Sequence, residues 1–393
     1  MANLKQTIEF QAKGIKQLKS QMSALEKKTR KLEKSTKGVG GAGSQAGASF
    51  KSMAMKIGGA TIAIALAQKA MSFAVRVGKE FEQSMANVKA ISGATGDAFL
   101  ALEADAKKLG ASTKFTATEV AGLQTEYAKL GFTAKEIVGV TEGTLALASA
   151  VGSDLATSAA VSGATLRGFG LDVKETGRVT DVMAQSFSKS ALDMAKFSDS
   201  MKYVAPISKM AGISIEGTTA ILGQLANAGI DGSMAGTSLR KVLLEAGKAG
   251  SKLAIRMGGP IESFEDFQEK LQNLKDEGFD PLVEGADLVG QRAVTAFGIL
   301  LDGVDSTNEL HESLLNAGGA AQRMAEIQLD TLEGKMTIMK SATEGLGIAF
   351  FDTFDEGLKE SVEGITRLIG SMTEMIAVPM SAKMEEQRIS AIG

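Results

Sequence analysis

The chain has 393 residues, no cysteine or tryptophan, one histidine and four prolines, and it is 44% hydrophobic and 23% charged. This length allows two or three domains, and the balance of apolar and charged residues excludes a wholly disordered chain. Without cysteine there is no disulfide framework and no thiolate metal site, and a single histidine excludes multi-histidine metal sites. The 45 glycines, combined with so few prolines, favour helices joined by glycine over a β fold.

The first 37 residues are basic, with ten Lys or Arg against three Glu, whereas the net charge of the whole chain is −3. Residues 4–35 also show the heptad spacing of a coiled coil. Its apolar seam consists of Ile8, Ile15, Leu18, Met22, Leu25 and Leu32. Because such a seam buries little surface alone, we predict that it joins copies of the chain into a homo-oligomer. Its lysines and arginines are interpreted as a solvated helix face, with binding to nucleic acid or an anionic membrane as the alternative.

Residues 38–52 are rich in glycine and small side chains, which is typical of a flexible linker. The following segment, residues 53–78, is the most apolar part of the chain and is interpreted as a buried helix. The alternative is a membrane-active segment, although its uncharged run of 12 residues, 57–68, is shorter than the ~20 residues of a bilayer span. In that alternative the residues that would meet lipid are Ile57, Ile62, Ile64, Leu66, Phe73, Val75 and Val77.

Residues 79–250 predict a core of helical hairpins. Gly131, Gly170 and Gly212 are each followed by an apolar residue and then by Thr, Asp or Ser. This order is typical of a helix that ends at glycine and is followed by the N-cap of the next helix. The glycines are 39 and 42 residues apart, about one helical hairpin each.

Three further local predictions concern this core. Thr116 with Glu119 and Thr133 with Glu136 have the spacing of capping boxes, and Asp172 with Glu175 has the same spacing. Residues 229–240 are interpreted as a tight loop before a helix over 239–246. A glycine-rich loop before a helix can bind phosphate, but no Gly-Lys-Ser/Thr follows a strand here.

The last third of the chain predicts an acidic helical region over 251–335 and an amphipathic helix with a polar tail over 336–393. The amphipathic pattern covers 345–377, with apolar residues at steps of three or four. His311 lies among charged residues, so we expect a solvated surface side chain. No segment alternates in the manner of a β-strand, so the chain is predicted to be all-α.

The sequence lacks the patterns that enzymes need. No carboxylate lies alone in an apolar neighbourhood, and no Gly-x-Ser-x-Gly elbow is present. We therefore expect no catalysis, no cofactor, no metal and no small-molecule substrate. The two alternative classes are a cell-wall lytic enzyme and a pore-forming helical protein.

A series of short motifs between residues 81 and 244 resembles the core of phage tail tape-measure proteins of the TP901 type. Residues 109–120 (LGASTKFTATEV), 128–132 (AKLGF), 166–171 (LRGFGL), 204–206 (VAP), 211–216 (AGISIE) and 229–240 (GIDGSMAGTSLR) occur in the family's order. The motif residues are Gly110, Phe115, Glu119, Gly131, Phe132, Gly170, Pro206, Gly212, Gly229, Asp231, Gly232, Ser233, Gly236, Thr237, Leu239 and Arg240.

The resemblance implies a structural protein of a virion tail, made in the cytoplasm of a host bacterium. Such a protein sets the length of the tail tube, leaves ahead of the DNA and sometimes meets the host membrane. The resemblance also implies tail tube proteins and tail assembly chaperones as partners. Members of the family are expected to be longer than this chain, which leaves the ruler of a short tail, a split gene and a prophage remnant as alternatives.

Overall fold

The computed structural model describes residues 60–353, with side chains from residue 69 onwards. The chain divides into two units between Ala70 and Met71. In the first unit the described part is the start of one helix, and all other elements lie in the second. The predicted coiled coil, the linker, Ile57 and the chain after residue 353 lie outside the described residues.

The described residues form helices and no strand, which confirms the predicted all-α class. The helices are α1 (Ala60–Ser92), α2 (Gly96–Ser112), α3 (Ala117–Lys129), α4 (Ala134–Val151), α5 (Leu155–Phe169), α6 (Thr176–Lys189), α7 (Met194–Met210), α8 (Ile215–Asn227), α9 (Gly232–Gly247), α10 (Lys252–Arg256), α11 (Phe264–Asp276), α12 (Ala286–Val289), α13 (Val294–Asp302), α14 (Val304–Leu315), α15 (Ala320–Leu329) and α16 (Leu332–Phe351). A 3₁₀ turn at Val173–Glu175 precedes α6, and a π-helical turn at Pro281–Gly285 precedes α12.

Helices α3 to α9 form an array of two layers. The odd-numbered helices α3, α5, α7 and α9 pack side by side in one layer, and α4, α6 and α8 form the other. Helices that follow each other in the chain also pack across the layers, for example α3 on α4 and α7 on α8. Fully buried side chains such as Tyr127, Leu147 and Phe197 fill the array. Each helical hairpin thus contacts mainly the next, as in repeat proteins.

After α9 the chain returns along the layer of even-numbered helices. Helix α14 packs against α8 and α6, α15 packs against α6 and α4, and α16 packs against α2. We call α14–α16 the C-terminal strap. It is held by hydrogen bonds across the fold, such as that from Gln328 Nε2 to the carbonyl oxygen of Ala150 (2.5 Å) and that from Ser341 Oγ to the carbonyl oxygen of Lys114 (2.7 Å). The strap therefore links the two ends of the array.

Helix α1 buries one face against the rest of the second unit. Phe81, Met85 and Val88 on this face are all at most 3% exposed. The close approach of the strap to α1 needs a glycine, because a Cβ at Gly347 would lie 2.6 Å from Cγ2 of Val77. Helix α1 runs through residue 78, where the sequence predicted a boundary, whereas the predicted domain limits themselves stay predictions.

Two local predictions are wrong. Residues 232–240 are helical, because α9 begins at Gly232 and Gly236 serves helix packing instead of a turn. His311 is 8% exposed and not solvated, because its imidazole packs on the ring of Phe264 with 3.9 Å between the ring centroids. Charged neighbours in the sequence gave no indication of this contact, since Phe264 lies on a different helix.

Candidate functional site

The three glycines of the predicted repeat end helices α3, α5 and α7 in the same way. Gly131, Gly170 and Gly212 have φ angles of +78°, +63° and +70°, which are in the left-handed region that favours glycine. The next residue then donates its backbone N–H to the carbonyl oxygen five residues earlier: Phe132 to Tyr127 (3.1 Å), Leu171 to Leu166 (2.9 Å) and Ile213 to Ser208 (2.9 Å). These are Schellman motifs, and each turns the chain from the odd layer to the even layer.

Two of the predicted caps are present at helix starts in the array. Thr116 with Glu119 and Thr133 with Glu136 form complete capping boxes at the starts of α3 and α4, which confirms both predictions. The hydrogen bonds from Thr133 hold the pKa of the Glu136 carboxyl below its ordinary value. Asp172 instead accepts a hydrogen bond from the backbone N–H of Lys174 and caps the 3₁₀ turn.

The most specific motif, residues 229–240, builds the contact between α7 and α9. A Cβ at Gly236 would lie 2.4 Å from the carbonyl oxygen of Ser200 on α7. The missing side chain thus lets the two helix backbones approach closely. Ser200 Oγ donates a hydrogen bond to the carbonyl oxygen of Gly232 (2.8 Å), and Leu239 fills the core beside them.

A surface ion pair lies at the same contact. Lys196 Nζ on α7 is 3.0 Å from Oδ2 of Asp231, the residue before α9. The hydrogen bond to Asp231 raises the pKa of the Lys196 ammonium. Solvent and salt screen such an exposed pair, so the glycine contact carries most of the packing.

The other motif residues divide into packing and surface positions. Gly110 lies against the backbone of Ala117, and a Cβ there would be 2.4 Å from its nitrogen. The exposed positions are Glu119, Pro206, Gly229, Ser233, Thr237 and Arg240. The half-buried ring of Phe115 packs against the core. The structure thus brings residues 196–200 and 231–239 together and leaves the other motif residues spread along the array.

Sequence reasoning missed a polar contact between α6 and α8. Glu216 is 3% exposed, and its Oε1 accepts a hydrogen bond from Arg178 Nη1 (2.5 Å). Arg178 also donates to Glu175 Oε2 (2.7 Å), so one guanidinium joins two carboxylates. Burial lowers the pKa of the His311 imidazole nearby. Arg178 and Glu216 are 38 positions apart in the chain, which explains why no local sequence signal indicated the pair.

The second half of the candidate membrane segment faces protein. Val77 is 1% exposed and Phe73 packs partly buried against the core, while Val75 is half-buried. Ile62, Ile64 and Leu66 lie in helix α1. Over residues 60–353, no helix has the length and the low charge that crossing a bilayer requires.

Comparison with known proteins finds a family match that covers the helical array. Residues 103–281, from α2 to the turn after α11, match a family described as phage-related minor tail protein. No solved structure matches the chain. Over this range the chain is similar to phage-related minor tail proteins, and the match does not separate out the TP901 type, which stays an interpretation.

The chain is similar to curated proteins from several phages. It is 33% identical over 323 residues to the "Tape measure protein" of Pneumococcus phage Dp-1, an alignment with 79% of this chain and 28% of that protein. It is 28% identical over 344 residues to the "Probable tape measure protein" of Escherichia phage P2, with 83% of this chain and 42% of that protein. The chain thus spans well under half the length of these relatives.

Proposed function

We propose that this chain acts as a tape measure protein, which sets the length of the tail tube while a phage tail assembles. The observation that carries this proposal is the similarity to the two relatives from phages Dp-1 and P2, aligned over 79% and 83% of this chain. The proposal includes location in the virion tail, with tail tube proteins and assembly chaperones as partners. It also includes a homo-oligomer formed through the predicted coiled coil over residues 4–35.

The way the array is packed limits how much length its residues can contribute to the tail. A continuous helix rises ~1.5 Å per residue, so ~40 residues would reach ~60 Å. In the array, a hairpin of this size advances by about one helix-packing distance, ~8–10 Å. We therefore assign the measuring role to helical segments outside the array and assign the array itself to a compact block within the tail.

The test is tail length as a function of residues added in the predicted coiled coil. One or two in-frame duplications of residues 12–25 add 14 or 28 residues and keep the heptad register. We expect tails that are longer by ~21 Å and ~42 Å in negative-stain electron microscopy. The matched control, Glu142→Gln on the surface of α4, changes no residue count and should leave tail length unchanged. Complete tails of unchanged length in both duplications would contradict the measuring role.

A further inference from the structure

The outer face of α16 carries a row of large apolar side chains that remain exposed in the described part of the chain. Leu332, Met336, Met339 and Leu346 are 78%, 56%, 63% and 69% exposed. Exposed apolar residues that are scattered singly over a surface need no explanation. A row of four on one helix is different, because contiguous apolar surface of this kind marks a contact with another molecule.

The four residues have the spacing of a coiled-coil seam. The step from Leu332 to Met336 is four residues and the step to Met339 is three, and Leu346 follows seven residues later. The exposed Thr343 occupies the seam position between the last two. Alternating steps of four and three keep side chains on the side of a helix that faces a partner helix. The occupant that fits this face is therefore another α-helix.

The opposite face of α16 holds the helix in the fold. Gly334, Ser341 and Ile348 are buried and follow one another at steps of seven, on the side of the helix away from the seam. Short helices are marginally stable in water by themselves. Because the fold already fixes α16, its seam can pair with another helix without the cost of forming the helix first.

The charged residues beside the seam indicate which helix fits. Glu333 and Lys340 are exposed at the same heptad position on one side of the seam, and the exposed Lys335 lies on the other side. In a parallel pair of α16 helices, Lys335 of each copy would meet Lys340 of the other, and the two lysines would repel each other. In an antiparallel pair, Glu333 of each copy would meet Lys340 of the other. Charge complementarity thus favours a second, antiparallel copy of α16.

We propose that α16 pairs with α16 of a second copy of this chain in an antiparallel contact. Met336 of each copy lies opposite Met339 of the other, and Leu332 lies opposite Thr343. Both copies use the same surface, so the contact closes as a dimer and does not continue into a filament. This contact is separate from the oligomer predicted for residues 4–35, and it does not rest on the proposed role in measuring length.

Disulfide cross-linking tests the pairing, because the chain has no cysteine of its own. Full-length M336C and M339C proteins with tags of different length are co-expressed and mildly oxidised. We expect the mixed dimer to exceed either homodimer by about threefold, because only the mixed pair places the two cysteines opposite each other. The control, M210C, has its cysteine at an exposed position of α7 outside the seam, and it should give only background cross-linking.

Reversal of the charges beside the seam tests the orientation. In the same cysteine backgrounds, E333K and K340E should each lower the yield of the mixed dimer about fivefold, since each creates two like-charged pairs. The combined variant E333K/K340E exchanges the two charges, and it should restore the yield. Thermal unfolding of each variant shows that the fold is intact, so a lower yield reports on the contact.

Three results would overturn the proposal. Yields no higher than that of M210C would show that something else covers the face, such as residues 354–393 of the same copy or a lipid surface. A preference for the M336C and M339C homodimers, with a higher yield in K340E, would show a parallel pair. A combined variant that stays as weak as the single variants would show that Glu333 does not meet Lys340 of the second copy.

Discussion

Asp181 caps a helix that starts far from it in the chain: its Oδ2 accepts a hydrogen bond from the backbone N–H of Gly319 (2.7 Å), 138 residues later. Its Oδ1 accepts from the N–H of Ala321 (2.9 Å). Gly319 is the residue before α15 and has no side chain that could cap it. A carboxylate on α6 thus satisfies two N–H groups at the start of α15 and fixes the strap to the even layer.

Replacement of Asp181 by alanine should destabilise the fold by about 1–2 kcal/mol, because two backbone N–H groups lose their acceptor. Urea unfolding measures the free energy change. Hydrogen exchange should show faster exchange at the Gly319 and Ala321 amides. The matched control, Asp199→Ala, removes a carboxylate whose contact is an exposed, solvent-screened pair with Lys202, and it should destabilise the fold clearly less than Asp181→Ala. Equal stability of both variants would mean that the strap does not depend on this cap.

Gly236→Ala should separate α7 from α9, because the new methyl group would overlap the carbonyl oxygen of Ser200. Overpacking of this kind costs about 1–3 kcal/mol. The control, Gly122→Ala, places the same methyl on the exposed face of α3, where no atom lies within 4 Å. It should stabilise the protein by up to about 1 kcal/mol through helix propensity. Opposite signs of the two changes in urea unfolding are the expected result, and a neutral Gly236→Ala would contradict the close contact.

Gly131→Ala tests the repeated turn without a steric clash, since no atom lies within 4 Å of the position of the new methyl. The φ angle of +78° remains unfavourable for alanine and should cost about 1–2 kcal/mol. Asparagine tolerates this region better, so Gly131→Asn should lose less stability than Gly131→Ala. The reverse order in thermal unfolding would show that backbone conformation does not determine the choice of residue at this turn.

Asp105 makes the stability depend on pH. Desolvation by burial raises the pKa of its carboxyl from 3.8 to about 6, although Gln124 donates a hydrogen bond to it. Because the folded pKa lies above the unfolded one, the folded state binds more protons between pH 4 and pH 6, and stability falls as pH rises through that window.

Asp105→Asn removes this titration and keeps an acceptor for Gln124. After allowance for the partial exposure of the carboxyl, the variant should be about 1 kcal/mol more stable than the wild type at pH 7, with a smaller difference or none at pH 4. Melting temperatures measured across this range check the expectation. Parallel pH profiles of the two proteins would show that Asp105 titrates normally.

The features that were predicted correctly depend on residues close together in the chain. The capping box of Thr133 with Glu136 and the turn at Gly131 each involve a few consecutive residues, so both can be predicted from the local sequence. The two contacts that were missed, Arg178 with Glu216 and Asp181 with Gly319, join residues 38 and 138 positions apart. Their geometry exists only after the layers have packed.

Glycine was predicted to form turns, whereas in the structure it has two different roles. At Gly131 it supplies a left-handed turn, whereas at Gly236 it supplies space between helices, and the sequence pattern around the two is similar. The prediction that His311 is solvated was wrong for a related reason, since the charged residues beside it in the sequence lie on only one side of the helix. The ring of Phe264 on the other side determined its burial.

The course of the strap determines how the fold responds to tension. The strap runs from α8 back to α2, and just after its last helix Asp352 pairs with Lys107 on α2 (2.8 Å). A pulling force applied there would peel α16 away first, then α15 and then α14, and it would break the contacts in sequence instead of shearing them together. The hydrogen bonds between Asp181 and α15 would therefore break second, after α16 has detached and before α14 leaves α6 and α8.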